Sequence, residues 1–87
     1  MLFMVIENLR DRNLIRERFD RDGRMVPEGV TYHASWVDVA GKRCFQLMEA
    51  KDEESLAIWV DKWKDLVDFE IVAVLTSNEF WSRDRVG

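Results

Sequence analysis

Short apolar runs alternate along this chain with polar stretches that keep a helical period. Met1 to Glu7 is apolar until its last residue and carries Phe3, Val5 and Ile6, which predicts a buried strand. Asn8 or Asp11 can cap a helix by accepting a hydrogen bond from its free backbone N–H groups. That helix is predicted over Asp11 to Arg21, with Leu14, Ile15 and Phe19 in one narrow stripe. Gly23 can end it in the left-handed conformation, and Pro27 makes Met25 to Gly29 a loop. Val30 to Val39 and Arg43 to Ala50 are predicted strands, joined at Ala40-Gly41 as a hairpin. Asp52 caps a second predicted helix running to about Leu66, with Leu56, Trp59, Val60, Trp63 and Val67 on one face. Phe69 to Thr76 is the last strand. Ser77 to Gly87 is predicted to be a polar tail, whose Phe80 and Trp81 pack either across a subunit boundary or back onto their own chain.

The predicted order, β-α-β-β-α-β, is that of the ferredoxin-like fold. Right-handed crossovers place both helices on one face of a four-stranded antiparallel sheet. The expected class is therefore α+β, with one domain over residues 1–77 and a C-terminal tail over 78–87.

Alternation divides each strand between the two faces of the sheet. A turn at Ala40-Gly41 sets Val37 opposite Cys44, Trp36 opposite Phe45, Ser35 opposite Gln46, Ala34 opposite Leu47 and His33 opposite Met48. Assigning the wholly apolar sets to the helix side puts Phe45, Leu47, Ala34 and Trp36 beneath the helices with Phe69 and Ile71. The helix-free face is then expected to hold Val37, Val72, Val74 and Met48, with His33, Ser35, Cys44, Gln46 and Glu70 among them. Such a mixed surface is too apolar to leave in water. A second copy of the same sheet is its simplest cover, so a homodimer is expected, with His33, Ser35, Cys44, Gln46, Met48 and Glu70 facing a small-molecule pocket.

Composition narrows the classes. The chain has 87 residues, 47% hydrophobic and 34% charged, with a net charge of −4. An acidic balance argues against nucleic acid as a partner, because such binding rests on neutralising phosphates. No apolar run approaches a membrane span, and no secretory signal is legible. Cys44 is the one cysteine, so no internal disulfide is expected and a reducing cytoplasm is the expected compartment. One His and one Cys do not make a metal site, and no cofactor is expected. Charge is uneven: residues 10–24 hold six arginines against four acids, and residues 49–70 hold eight acids against three lysines. These read as solvated faces, or as an arginine face that docks an acidic partner.

Several stretches resemble a small bacterial family known only as a domain of unknown function. They are the opening Met-Leu-Phe-Met-Val-Ile-Glu, Gly23-Arg24-Met25 with Pro27-Glu28-Gly29, and Ser35-Trp36-Val37. Arg43 to Glu49, Trp63 and Asp65 to Glu70 continue the resemblance, which spans roughly Met1 to Ser77. It implies the ferredoxin-like, dimeric α/β-barrel superfamily, whose members include cofactor-independent monooxygenases, heme-degrading enzymes and small-molecule binding proteins. It carries over no catalytic residue.

Three functions remain open on the sequence. The first is a homodimer that binds a small apolar or aromatic molecule on the helix-free sheet face. The second is a structural or protein-interaction module with a packed interface. The third is a cofactor-independent oxygenase or isomerase with His33 as base, since only His titrates near neutrality unperturbed. His33 reads first as a structural histidine and Cys44 as a structural thiol. Along the strand they stand ~13 Å apart, too far for a dyad.

Overall fold

The computed structural model describes residues 1–84. Its elements are β1 (Leu2–Leu9), α1 (Arg12–Asp22), β2 (Thr31–Val37), β3 (Arg43–Glu49), α2 (Glu54–Asp61), β4 (Val67–Val74) and α3 (Ser77–Asp84). The four strands form one sheet in the order β2-β3-β1-β4, with every neighbouring pair antiparallel. This is the ferredoxin-like βαββαβ layout, with α3 added at its end.

Local chemistry accounts for the element ends. The Asp11 carboxylate accepts from the Leu14 N–H at 3.1 Å and starts α1. Gly23, at φ 72°, ends it and donates its N–H to the Phe19 carbonyl. Asp52 accepts from the N–H and the hydroxyl of Ser55 ahead of α2. That helix is shorter than its apolar stripe suggests. After Asp61 the chain continues in tight turns, with Lys62 N–H bonded to Trp59 O and Trp63 N–H to Val60 O. Val67, expected on the helix, is instead the first residue of β4. At the hairpin, Asp38 accepts from the N–H groups of Lys42 and Arg43. Two backbone hydrogen bonds and a charge at Arg43 hold its carboxyl below the usual carboxylate range.

The hairpin register is the expected one from Ala34↔Leu47 through Val37↔Cys44, but a bulge between Tyr32 and Ala34 pairs Met48 with Tyr32 rather than His33. The faces of β2 and β3 are the reverse of the expectation. Val5 on β1 lies between Gln46 and Ile71, so Gln46 shares a face with Ile71. Cys44, Gln46 and Met48 are therefore under the helices with Phe3 and Val5, packed toward Leu56, Trp59 and Trp63. The helix-free face carries Leu2, Met4, Ile6, Ala34, Trp36, Phe45, Leu47, Val72 and Val74. Polarity misled because the buried polar groups satisfy one another, which removes most of the penalty for covering them. Once they are covered, the apolar set is left outside.

The arginines of the first charge block pair partly with acids of the second block and partly with acids of their own. Arg18 on α1 holds Asp65 through two hydrogen bonds of 2.7 Å, and Arg10 lies 3.6 Å from Asp68. Arg16 pairs with Asp20 and Arg21 with Asp22. The segment expected as a tail forms α3 over Ser77–Asp84, on which the Phe80 and Trp81 rings meet edge to face at 5.1 Å and stay exposed. Residues 85–87 of that expected tail lie outside the described residues.

Candidate functional site

Between the sheet and the helices lies a cavity of about 150 Å³. Its walls are mainly apolar: Leu9 from β1, Ile15 and Phe19 from α1, Trp59 from α2, Trp63 from the turns after it, and Val67 from β4. Val37 and Phe19 line it while remaining well exposed and so mark its mouth. The tryptophans belong here because an indole supplies a large apolar wall and one N–H that must find an acceptor. Both find the same one: Trp59 Nε1 and Trp63 Nε1 each donate to the Arg24 carbonyl oxygen at 3.1 Å. The next residue, Met25, sits at φ 61°, uncommon for a residue with a side chain. The two indoles thus clamp the loop after α1 onto the cavity in a conformation it would otherwise leave.

One wall is polar. Arg24 Nε donates to Gln46 Oε1 at 3.0 Å, and Gln46 Nε2 donates to Glu7 Oε2 at 2.5 Å. The Arg24 guanidinium lies over the Tyr32 ring at 3.8 Å and near Phe19 at 5.2 Å, so aromatic faces hold it flat. Glu7 is 7% exposed. Burial pushes its carboxyl from the usual 4.5 up to about 7, against the opposing pull of the Gln46 hydrogen bond and the Arg24 charge. The other carboxyl oxygen, Oε1, makes no hydrogen bond. No buried side-chain nitrogen or oxygen among the described residues lacks a partner. Oε1 therefore borders open space, and the space Glu7 borders is the cavity.

The six expected pocket residues part company. Cys44 and Gln46 line the cavity, on the helix side of the sheet. Desolvation, and next the Glu7 charge, push the Cys44 thiol up to about 11, so it is a neutral wall rather than a nucleophile. Met48 is fully buried in the core. Ser35 faces the helix side but bonds the Tyr32 hydroxyl at 2.7 Å. His33 is carried by the bulge to Glu49, with Nε2 2.8 Å from Oε1, and Glu70 is exposed beside Ile6 on the helix-free face. His33 and Cys44 thus face away from each other, in addition to being distant along the strands.

Glu7 and Arg24 are the residues that sequence reading passed over. Glu7 carried a legible signal, since it continues the alternate positions of Phe3 and Val5 that the helices cover. Arg24 carried none, because only folding brings it beside Gln46, 22 positions away.

A family model described as "Domain of unknown function (DUF3303)" matches residues 1–83, a span that takes in most of α3. No curated protein and no solved structure matches the chain. With all but its last few residues matched, the chain belongs to the DUF3303 family of domains of unknown function.

Proposed function

We propose that this protein binds a small apolar or aromatic molecule in the cavity between sheet and helices. The observation that carries the reading is a mainly apolar cavity with one hydrogen-bonding wall, Glu7–Gln46–Arg24. Binding sites for small ligands have this composition: apolar surface for affinity and a few placed polar groups for orientation. The volume suits about one aromatic ring, since apolar cavities near this size hold benzene. The Trp59 and Trp63 indoles make the test optical. Toluene is expected to quench tryptophan fluorescence saturably in the wild type. Val37→Phe, which fills the mouth at an exposed position, should weaken binding at least tenfold without loss of stability. Quenching that never saturates, or that Val37→Phe leaves unchanged, would contradict the reading.

The protein acts, in this proposal, as a homodimer built on the helix-free face. Apolar side chains run unbroken across that face through the pairs Ala34↔Leu47, Leu47↔Met4 and Met4↔Val72. Trp36 is 56% exposed and Val72 40%. Covering a few hundred Å² of such surface is worth several kcal/mol at ~25 cal/mol per Å². The rim holds both signs, Arg43 at one side and Asp68, Glu70 and Glu49 at others. That mixture suits a two-fold contact in which one patch meets its own copy. The superfamily resemblance supports the same arrangement; the setting proposed for it is the cytoplasm, where Cys44 stays reduced. Sedimentation at micromolar concentration should give a dimer for the wild type and a monomer for Trp36→Glu/Val72→Glu. A wild type that sediments as a monomer would remove the dimer while leaving the cavity untouched.

A further inference from the structure

The polar wall of the cavity has one valence left over, and its chemistry names the ligand. Of the Glu7 carboxyl, Oε2 is taken by Gln46 and Oε1 faces the cavity with no protein partner. Gln46 is itself held from behind by Arg24, so its amide presents a donor to Glu7 and cannot turn to offer an acceptor without breaking both bonds. The indole N–H groups are spent on the Arg24 carbonyl. The groups that face Glu7 from the packed elements are Cys44 and Gln46 on β3, Arg24 from the loop, Ile15 and Phe19 on α1, Trp59 and Trp63, and Val67 and Phe69 on β4. Arg24 is the one cation among them and Cys44 the one other titratable group.

A ligand that fills the cavity displaces its water. Without water the carboxylate loses the solvation its free oxygen had, and the neutral acid is favoured. The proton then sits on Oε1, because Oε2 already accepts from Gln46. It points into a space whose protein walls offer no strong acceptor.

We propose that the ligand is a neutral, single-ring molecule bearing a carbonyl oxygen, and that Glu7, protonated, donates its O–H to that oxygen. This rests on the cavity being the binding site and adds the class of ligand it takes. Binding then carries a proton with it. Burial already places the Glu7 carboxyl at about 7, so carbonyl ligands bind best below neutrality and lose affinity as the carboxylate forms. An apolar ring of the same shape makes no hydrogen bond and shows a weaker pH dependence, set by desolvation alone.

Acetophenone and isopropylbenzene are the matched probes, the second having a methyl group in place of the carbonyl oxygen. Calorimetric titration at about pH 5.5 should show acetophenone binding several-fold tighter, a hydrogen bond in a dry site being worth about a factor of ten. Above about pH 7 that advantage should shrink toward parity within about one pH unit. Heats measured in two buffers of different ionisation enthalpy should show proton uptake with acetophenone in the same range. Glu7→Gln, whose amide N–H₂ stands in for the protonated acid, should hold the acetophenone preference at every pH with no proton uptake. Glu7→Leu should bind both probes alike. Equal binding of the two probes to the wild type, or a pH profile that survives Glu7→Gln, overturns the proposal while leaving the cavity as a site. If neither probe binds, the cavity reading itself falls and this proposal with it.

Discussion

Replacing Trp59 by Ala is expected to remove about 3–5 kcal/mol of folding stability, the largest single loss in the molecule. Trp59 is 1% exposed, sits in the middle of the core and meets the Phe69 ring edge-on at 5.6 Å. Its indole also holds the Arg24 carbonyl. Truncation therefore opens a void between α2 and the sheet and loosens the loop that carries Arg24. A domain of this size has about 5–15 kcal/mol in total, so the variant should be close to unfolding at physiological temperature. Trp59→Phe keeps most of the ring packing but gives up the N–H, and Trp63 still satisfies the same carbonyl. Its loss should be about 1–2 kcal/mol. Urea unfolding at one fixed protein concentration measures both, which matters if subunits associate. Equal losses from the two substitutions would mean that the hydrogen bond, not the packed volume, dominates at this position.

The second large effect belongs to Glu7. Its carboxyl titrates at about 7 in the folded protein against 4.5 ordinarily. The folded state thus holds a proton that the unfolded state has released throughout that interval. Stability from this group is complete below pH 4.5 and is lost as pH rises through 7. The full difference is about 3 kcal/mol at ~1.4 kcal/mol per pH unit. Glu7→Gln keeps the shape and the Gln46 contact but cannot ionise. Its stability relative to wild type should rise from near zero around pH 4.5 to about 3 kcal/mol above pH 7. Paired urea titrations along that range measure the difference directly and cancel the exposed carboxylates common to both proteins. Two parallel curves would show that Glu7 is not the buried titrating group.

Much of the fold was legible in the sequence. The four-stranded antiparallel sheet followed from the β-α-β-β-α-β order and its crossover chirality, and most of the hairpin register followed from the turn beside Gly41. What could not be read strand by strand was which face turns inward. That depends on how β3 meets the central strand β1, a pairing between residues 35 or more positions apart, such as Glu7↔Cys44 and Val5↔Gln46. The rule of apolar in and polar out failed at Gln46 because Glu7 and Arg24 complete its hydrogen bonds. It failed at Trp36 and Leu47 because the helices cover only one face. The His33 bulge was equally hidden, since an extra residue leaves no mark in an alternating pattern. Cys44 and Gln46, expected to line a pocket on the helix-free face, line the cavity on the helix side instead.

The helix-free face, expected to mix apolar and polar side chains, instead carries Phe45, Leu47 and Trp36 where Cys44, Gln46 and Met48 were expected, and Gln46 lies under the helices. The ligand and subunit roles proposed above therefore fall on opposite sides of the sheet: polar groups line a cavity on one side, and apolar side chains lie on the other. An arginine face for an acidic partner has lost much of its ground, because Arg10, Arg16, Arg18 and Arg21 have acids of their own chain beside them.

The central claim is that an apolar guest can enter between the sheet and the helices. Diffraction from crystals pressurised with xenon tests it without assuming any ligand chemistry, since xenon seeks apolar space of this size. A xenon peak is expected between Trp59, Trp63, Val67 and Ile15, within a few ångströms of the Glu7 carboxyl. Xenon found elsewhere, with that space filled by side chains, would contradict it.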